Sequence, residues 1–226
     1  MKVVAFVPIK LNSERVPQKN IRSFSGGKPL IRYILDTLNS VDNIDERYVY
    51  CSSPSIAQYQ PKGFEVKIRS PHLDLSSTPF NEVLRSFALD IPADVYVLTH
   101  ATAPFIRKET IEKAVEMVRS GAYDSAITVQ RQQEFVWIDG EPANYSIDDI
   151  PRTQDLKPFY TETCGLFVYT REQIVEHNRR IGPRTYLLEI DKIEAVDINE
   201  EEDFLIADSI HAFLQKRGDL SIRQRP

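Results

Sequence analysis

Val3-Val4-Ala5-Phe6-Val7-Pro8-Ile9 is a near-continuous apolar run, and the stretch directly after it, Lys10-Leu11-Asn12-Ser13-Glu14-Arg15-Val16-Pro17-Gln18-Lys19-Asn20, is polar and basic. A strand apolar at consecutive positions is buried on both faces, the habit of a parallel sheet with helices on each side. The same reading extends outward. Pro29–Leu38 sets Leu30, Ile34, Leu35 and Leu38 at helical spacing, and Tyr48–Cys51 and Phe64–Ile68 follow as strands. Thr78–Leu89 reads as a helix with Ser76, Ser77 or Thr78 as N-cap and Pro79 in its first turn. Val95-Tyr96-Val97-Leu98 marks a strand over Asp94–Thr99, Lys108–Arg119 a helix stopped at Gly121, and Ser125–Val129 another strand. Strand and helix in alternation mean an α/β fold on a mostly parallel sheet.

From about Arg131 to Asp191 the pattern changes. Short strand candidates (Phe135–Ile138, Leu166–Thr170, Tyr186–Ile190) alternate with turn-rich stretches and one short helix, Glu172–Arg179. This predicts an inserted lobe over 131–190, with the main α/β domain formed by 1–130 and 191–226. Alternation resumes with a strand, Ala195–Ile198, and a last helix, Glu200–Lys216. In 226 residues, 28 Lys and Arg stand against 33 Asp and Glu, a net charge of −5 that argues against nucleic acid as a partner. No apolar run approaches the roughly 20 residues that cross a bilayer, and the N-terminus lacks a signal-peptide pattern. Cys51 and Cys164 cannot staple a fold of this size and show no metal spacing, so a soluble, cytoplasmic protein is expected.

Ligands of open parallel sheets bind beyond the carboxyl ends of the strands, which directs attention to the loops after Pro8, Cys51, Leu98 and Ile198. Between positions 10 and 28 five cations (Lys10, Arg15, Lys19, Arg22, Lys28) meet one anion, Glu14. A local charge of +4 inside an acidic protein suits a triphosphate, with Ser13 and Asn12 as neutral donors. Gly26-Gly27-Lys28-Pro29 is no Walker A loop, since it lacks the four-residue spacer and the Ser or Thr after Lys. Toward the other end the sign reverses: eight acids and one Lys lie between Glu189 and Asp203. Glu200–Asp203 belong to the first turn of a helix, where acids favour the dipole. Asp197, at the end of an apolar strand, is either an N-cap or the single carboxylate that Mg²⁺ takes beside phosphate oxygens.

With both ends read, the chain resembles the sugar cytidylyltransferases, above all the CMP-sialic acid (acylneuraminate) synthetases and the CMP-KDO synthetases. The family's opening motif is similar to Val7-Pro8-Ile9-Lys10 … Ser13-Glu14-Arg15-Val16-Pro17-Gln18-Lys19-Asn20. Further matches are Arg69-Ser70-Pro71, Thr102-Ala103-Pro104, Arg152-Thr153-Gln154-Asp155-Leu156, Glu162-Thr163-Cys164-Gly165 and Val196-Asp197-Ile198-Asn199 through Asp203-Phe204. Each match is weak alone; their order and spacing are specific.

The resemblance implies a Rossmann-like three-layer fold with a small α+β dimerisation lobe, and a homodimer. It implies that Lys10, Arg15 and Lys19 act on the phosphates of CTP, with Pro8, Ser13, Asn20, Arg69 and Ser76 around the nucleotide. His100, Thr102, Arg152, Gln154 and Glu162 would bind a ulosonic acid, Arg152 meeting its carboxylate, and Asp197 with Asn199 would hold Mg²⁺. Arg179, Arg180 and Arg184 fall in the lobe, where family members can lend residues to a partner's sugar site. Three positions depart from the family: Lys10 for Arg, His100 for Gln, and Asn199 for a second Asp. The expected reaction is attack of the sugar's anomeric hydroxyl on the α-phosphorus, releasing pyrophosphate. A nucleotidyltransferase for another sugar or polyol phosphate shares the basic loop, and a nucleotide-binding subunit without catalysis is the reading that His100 and Asn199 support.

Overall fold

A computed structural model describes residues 1–12 and 16–218. Seven strands form one sheet: β1 (Val3–Ile9), β2 (Glu46–Cys51), β3 (Glu65–Ile68), β4 (Val95–Thr99), β5 (Ser125–Gln132), β8 (Phe159–Thr170) and β9 (Thr185–Glu189). Their order is β3-β2-β1-β4-β8-β5-β9, and β8 alone runs antiparallel to its neighbours. The helices are α1 (Leu30–Asn39), α2 (Phe80–Asp90), α3 (Lys108–Arg119), α4 (Arg171–Val175) and α5 (Glu201–Lys216). This is the expected Rossmann-like arrangement, a mostly parallel sheet between helical layers.

The apolar run of β1 is explained by its two faces. Val3, Ala5, Val7 and Ile9 pack with Ile31, Ile34 and Leu35 of α1 and Ile111 and Val115 of α3. Val4 and Phe6 pack on the opposite side with Val83, Leu84 and Phe87 of α2, where the Phe6 and Phe87 rings stack at 4.0 Å. A third cluster, Phe24, Leu30, Tyr33, Phe105, Phe204, Ala207 and Leu214, seats α5 against the main body.

Several elements differ from their sequence reading. Ala195–Ile198 is not a strand: residues 192–195 form a turn, and the Ile198 N–H donates to Thr102 O, in the loop after β4, at 2.9 Å. Its apolar residues serve the third cluster instead. β8 starts seven residues before Leu166, because its polar first half, Phe159–Glu162, pairs with the far end of β5 beyond a register shift. α2 begins after Pro79 without a side-chain cap; the Thr78 hydroxyl donates to His72 O at 2.7 Å, which closes the preceding loop. The short helix stops at Val175. Of the segment 131–190, β8 and β9 belong to the main sheet, and a separate two-stranded hairpin, β6 (Trp137–Ile138) with β7 (Glu141–Pro142), stands apart from it. Asp139 and Gly140, at φ 52° and 85°, make the tight turn between them.

Candidate active site

Strand order reverses between β1 and β4, the point where open α/β sheets leave a crevice. Pro8 contributes to the opening. It has no N–H, and the ladder from β1 to β4 ends at Phe6–Leu98, before it is reached. A cleft of about 260 Å³ lies there, lined among others by Pro8, Lys10, Arg69, Asp74, Ser76, Thr78 and Phe80. Pro8 and Lys10, at the end of β1 and just after it, and Arg69 and Ser76, both in the connection from β3 to α2, are thus brought together.

Arg69 is the most firmly built of them. The residue is 6% exposed, its backbone N–H donates to Cys51 O at 3.0 Å, and its guanidinium lies 5.3 Å from the Tyr50 ring centre. Nε and Nη2 both donate to Asp74 Oδ1, at 3.0 and 2.7 Å, and Nη2 also donates to Ile9 O at 3.1 Å. The other Asp74 oxygen accepts from the Ser52 hydroxyl. Nη1 of Arg69 is buried and has no partner among the described residues. Buried guanidinium donors are normally satisfied, so an orphan beside a cleft is a donor available to a ligand. Asp74 and Ser52 carried no family motif; the close Arg69–Asp74 spacing in a Pro-containing loop was the only cue to them.

The described end of the basic loop is tied to its own start and to the segment before α5. Gln18 takes a left-handed conformation (φ 52°) ahead of the one-turn helix Lys19–Ile21. Asn20 Nδ2 donates to Lys10 O at 2.9 Å, and Lys19 Nζ donates to Ile198 O at 2.7 Å. Lys19 therefore ties the loop to the Asp197–Asn199 segment, which Ile198 N–H and Thr102 O tie in turn to the loop after β4. Ser13 and Arg15 lie outside the described residues.

A second group lies beyond Phe80. The His100 ring is 5.5 Å from Phe80 and 6.4 Å from Phe167, and the Arg180 guanidinium sits 4.3 Å from the Phe167 centre. Arg180 Nη2 is 3.6 Å from a Glu162 oxygen. Burial pushes the His100 imidazole down to about 4; the Asp197 carboxylate opposes that shift and Arg180 adds to it. His100 is consequently neutral at pH 7. Asp197 Oδ2 accepts from Asn199 Nδ2 at 2.7 Å, while Asp197 Oδ1 is buried with no partner among the described residues. Gly165 lets the loop after β4 press onto β8, since a Cβ there would come within 2.5 Å of Ile106 Cδ1.

Two expected residues are not joined to this group by any contact among the described residues. Arg152 is exposed and holds Asp155 in its own turn at 2.7 and 3.0 Å, and Gln154 meets Thr153 and Gln133. Arg180, read from sequence as a lobe residue, instead lies against His100 and Glu162 of its own chain. The cue was faint: two arginines after Asn178, which takes φ 51° and turns the chain out of α4.

Residues 4–211 match the family model described as Cytidylyltransferase. Over its whole length the chain is 24% identical to the N-acylneuraminate cytidylyltransferase of Streptococcus agalactiae serotype V, but it spans only 56% of that relative. It is 25% identical over 93% of its length to the CMP-N,N'-diacetyllegionaminic acid synthase of Legionella pneumophila, covering 96% of that protein. Its fold matches a CMP:2-keto-3-deoxy-manno-octonic acid synthetase solved with CTP, at a TM-score of 0.71 and 16% identity over 94% of this chain and 99% of that one. With a crevice at the strand reversal, a buried arginine on its floor and a family match running through all of the site's loops, the chain belongs to the cytidylyltransferase family.

Proposed function

We propose that the chain transfers the cytidylyl group of CTP to the anomeric hydroxyl of an acidic keto sugar. The acceptor oxygen forms a bond to the α-phosphorus, the bond to the β-phosphate oxygen breaks, pyrophosphate leaves, and the hydroxyl proton passes to solvent. The observation that carries this reading is the orphaned Nη1 of Arg69 in the cleft shared with Lys10 and Ser76. A rigid donor fits a base carbonyl, and Lys10 beside it fits the phosphates, as do Lys19, Ser13 and Arg15 of the same loop. Such transfers depend on positioning and charge stabilisation more than on covalent help. The relatives' names, one for an N-acylneuraminate and one for a CMP-legionaminic acid, support the acceptor class. His100, Thr102 and Glu162 are proposed to surround the acceptor, the neutral His100 ring being able to accept from a sugar hydroxyl.

The site suits Mg²⁺. Asp197 Oδ1 is a buried carboxylate oxygen without a partner among the described residues, and Asn199 adds a neutral amide. No three His, Cys, Asp or Glu side chains converge among the described residues, so the ion would rest on one carboxylate and on phosphate oxygens, as Mg²⁺ commonly does. A bound Mg²⁺ would offset phosphate charge as pyrophosphate departs. We place the enzyme in a reducing compartment, the cytoplasm, in keeping with its two free thiols, and propose that it works as a homodimer.

Pyrophosphate release, measured with each nucleoside triphosphate, Mg²⁺ and a panel of acylneuraminate, legionaminate and octulosonate acceptors, tests the proposal. Release with CTP and an acidic sugar is expected. CTP binding without release from any member of the panel would replace it with a non-catalytic role.

A further inference from the structure

Arg180 differs from the other arginines around it. Arg69 is closed onto Asp74, Arg152 onto Asp155, and Arg179 Nε donates to Gln173 at 2.8 Å. Arg180 Nε is buried and has no acceptor among the described residues, and the Glu162 oxygen, 3.6 Å from Nη2, is beyond hydrogen-bond length. Its plane is held by aromatic faces: the guanidinium carbon lies 4.3 Å from the Phe167 centre and 5.7 Å from that of Phe80. A guanidinium has five donors in a rigid fork, and leaving a buried one unmade is costly. Here the fork is oriented by stacking rather than by hydrogen bonds, at the border between the nucleotide cleft and His100.

We infer that Arg180 receives the carboxylate of the acidic acceptor. The inference rests on the acceptor class proposed above and names the side chain that selects it. A carboxylate fits better than a phosphate. Arg180, Glu162 and Asp197 all act electrostatically on this pocket, whose His100 is neutral. The polyphosphate has its own cation, Lys10, in the cleft that Phe80 also lines, which leaves Arg180, beside His100, for the acceptor. A planar carboxylate matches the guanidinium fork bidentately.

The test compares Arg180→Met, Arg180→Lys and Arg152→Ala in the full chain. Arg180→Met should raise KM for the acidic sugar roughly 10- to 100-fold, the loss of a charge-assisted pair, with KM for CTP little changed. Arg180→Lys should recover only part of the loss, because an ammonium lacks the fork. Arg152→Ala, at an exposed arginine paired with Asp155, should raise KM for the acidic sugar less than Arg180→Met does. An unchanged sugar KM in Arg180→Met, a parallel rise in KM for CTP, or an effect carried by Arg152 instead would each overturn the assignment. A second readout needs no turnover. Cys164 is exposed and within electrostatic reach of Arg180, whereas Cys51 is buried, so iodoacetamide reports on Cys164. An acylneuraminate or octulosonate, added with CTP, should slow its alkylation in the wild type and not in Arg180→Met. Protection that persists in Arg180→Met sinks the role of Arg180 alone. No protection of the wild type by any of the acids sinks the acceptor class itself, and the role of Arg180 with it.

Discussion

Asp74 lines the cleft and also holds Arg69 within it. Its Oδ1 accepts two of Arg69's donors and its Oδ2 is fixed by Ser52, so the arginine's remaining buried edge is presented to the cleft in one orientation. Replacing Asp74 by Ala would leave a buried guanidinium unpaired, a loss of about 3–5 kcal/mol that risks the fold itself. Asp74→Asn is the sharper probe, because it keeps the shape and one acceptor. It should raise KM for CTP about tenfold, near 1.4 kcal/mol, with kcat nearly unchanged. An unaltered KM for CTP would show that Arg69 is held by Ile9 O and Tyr50 alone. At this scale the sequence was partly legible. Lys10, Arg69, Ser76, His100, Glu162 and Asp197 could be named as candidates because charge or a motif marked them. Asp74 and Phe80 could not: an acid in a loop and a phenylalanine opening a helix look ordinary until folding sets them beside Arg69 and His100. Arg180 was visible as a cation, but not as one packed on Phe167 beside Glu162 of its own chain.

Elements were legible where their ends carry chemical marks. α3 runs over Lys108–Arg119 as its spacing and the following Gly121 predict. The Ala195–Ile198 run misled because apolar residues under a helix and apolar residues in a strand look alike over four positions. What those residues support is α5. That helix starts with a capping box between Glu200 and Asp203 and buries Phe204, Ala207, His211 and Leu214. His211 is 2% exposed, and its Nε2 lies 2.9 Å from the Tyr33 hydroxyl, which joins α5 to α1. Burial raises the Tyr33 phenol to about 12, so it stays protonated and donates to a neutral imidazole. Burial also lowers the His211 pKa below 6.5, with Asp208 opposing and Lys28 reinforcing the shift. Between the lowered value and 6.5 the unfolded chain binds a proton that the folded chain excludes. Stability is therefore full above about pH 6.5 and falls as pH drops toward the folded value, by at most about 1.4 kcal/mol per pH unit for one proton. Urea midpoints at pH 7.5 and 5.5 should draw closer together in His211→Gln than in wild type. Equal separations in the two proteins would remove His211 as the cause.

For the whole molecule the open question is what covers the hairpin segment. Trp137, Ile138, Ile147 and Ile150 are 58%, 59%, 65% and 65% exposed, and the Phe135 and Trp137 rings have only Tyr145 as aromatic partner among the described residues, at 4.8 and 6.3 Å. Exposed apolar residues are normal singly, but a cluster on a segment standing off the main sheet marks an interaction surface. None of the described helices is long and apolar enough to cross a membrane. Identical surfaces pairing about a two-fold axis would cover both copies at once, and a stable pair needs about 800 Å² from each protomer. A homodimer through this hairpin should appear in sedimentation as twice the chain mass. Trp137, the only tryptophan in the chain, makes the same point optically: its emission should shift to the blue as protein concentration rises from nanomolar to micromolar. Ile138→Lys places a charge in the proposed seam and should return both the mass and the emission to those of a monomer. It leaves the main sheet untouched, since among the described residues β6 pairs with β7 alone. A dimer whose mass and Trp137 emission ignore Ile138→Lys must pair through another face; α5, with Leu205, Ile206 and Phe213 all more than half exposed, would then be the surface to mutate next.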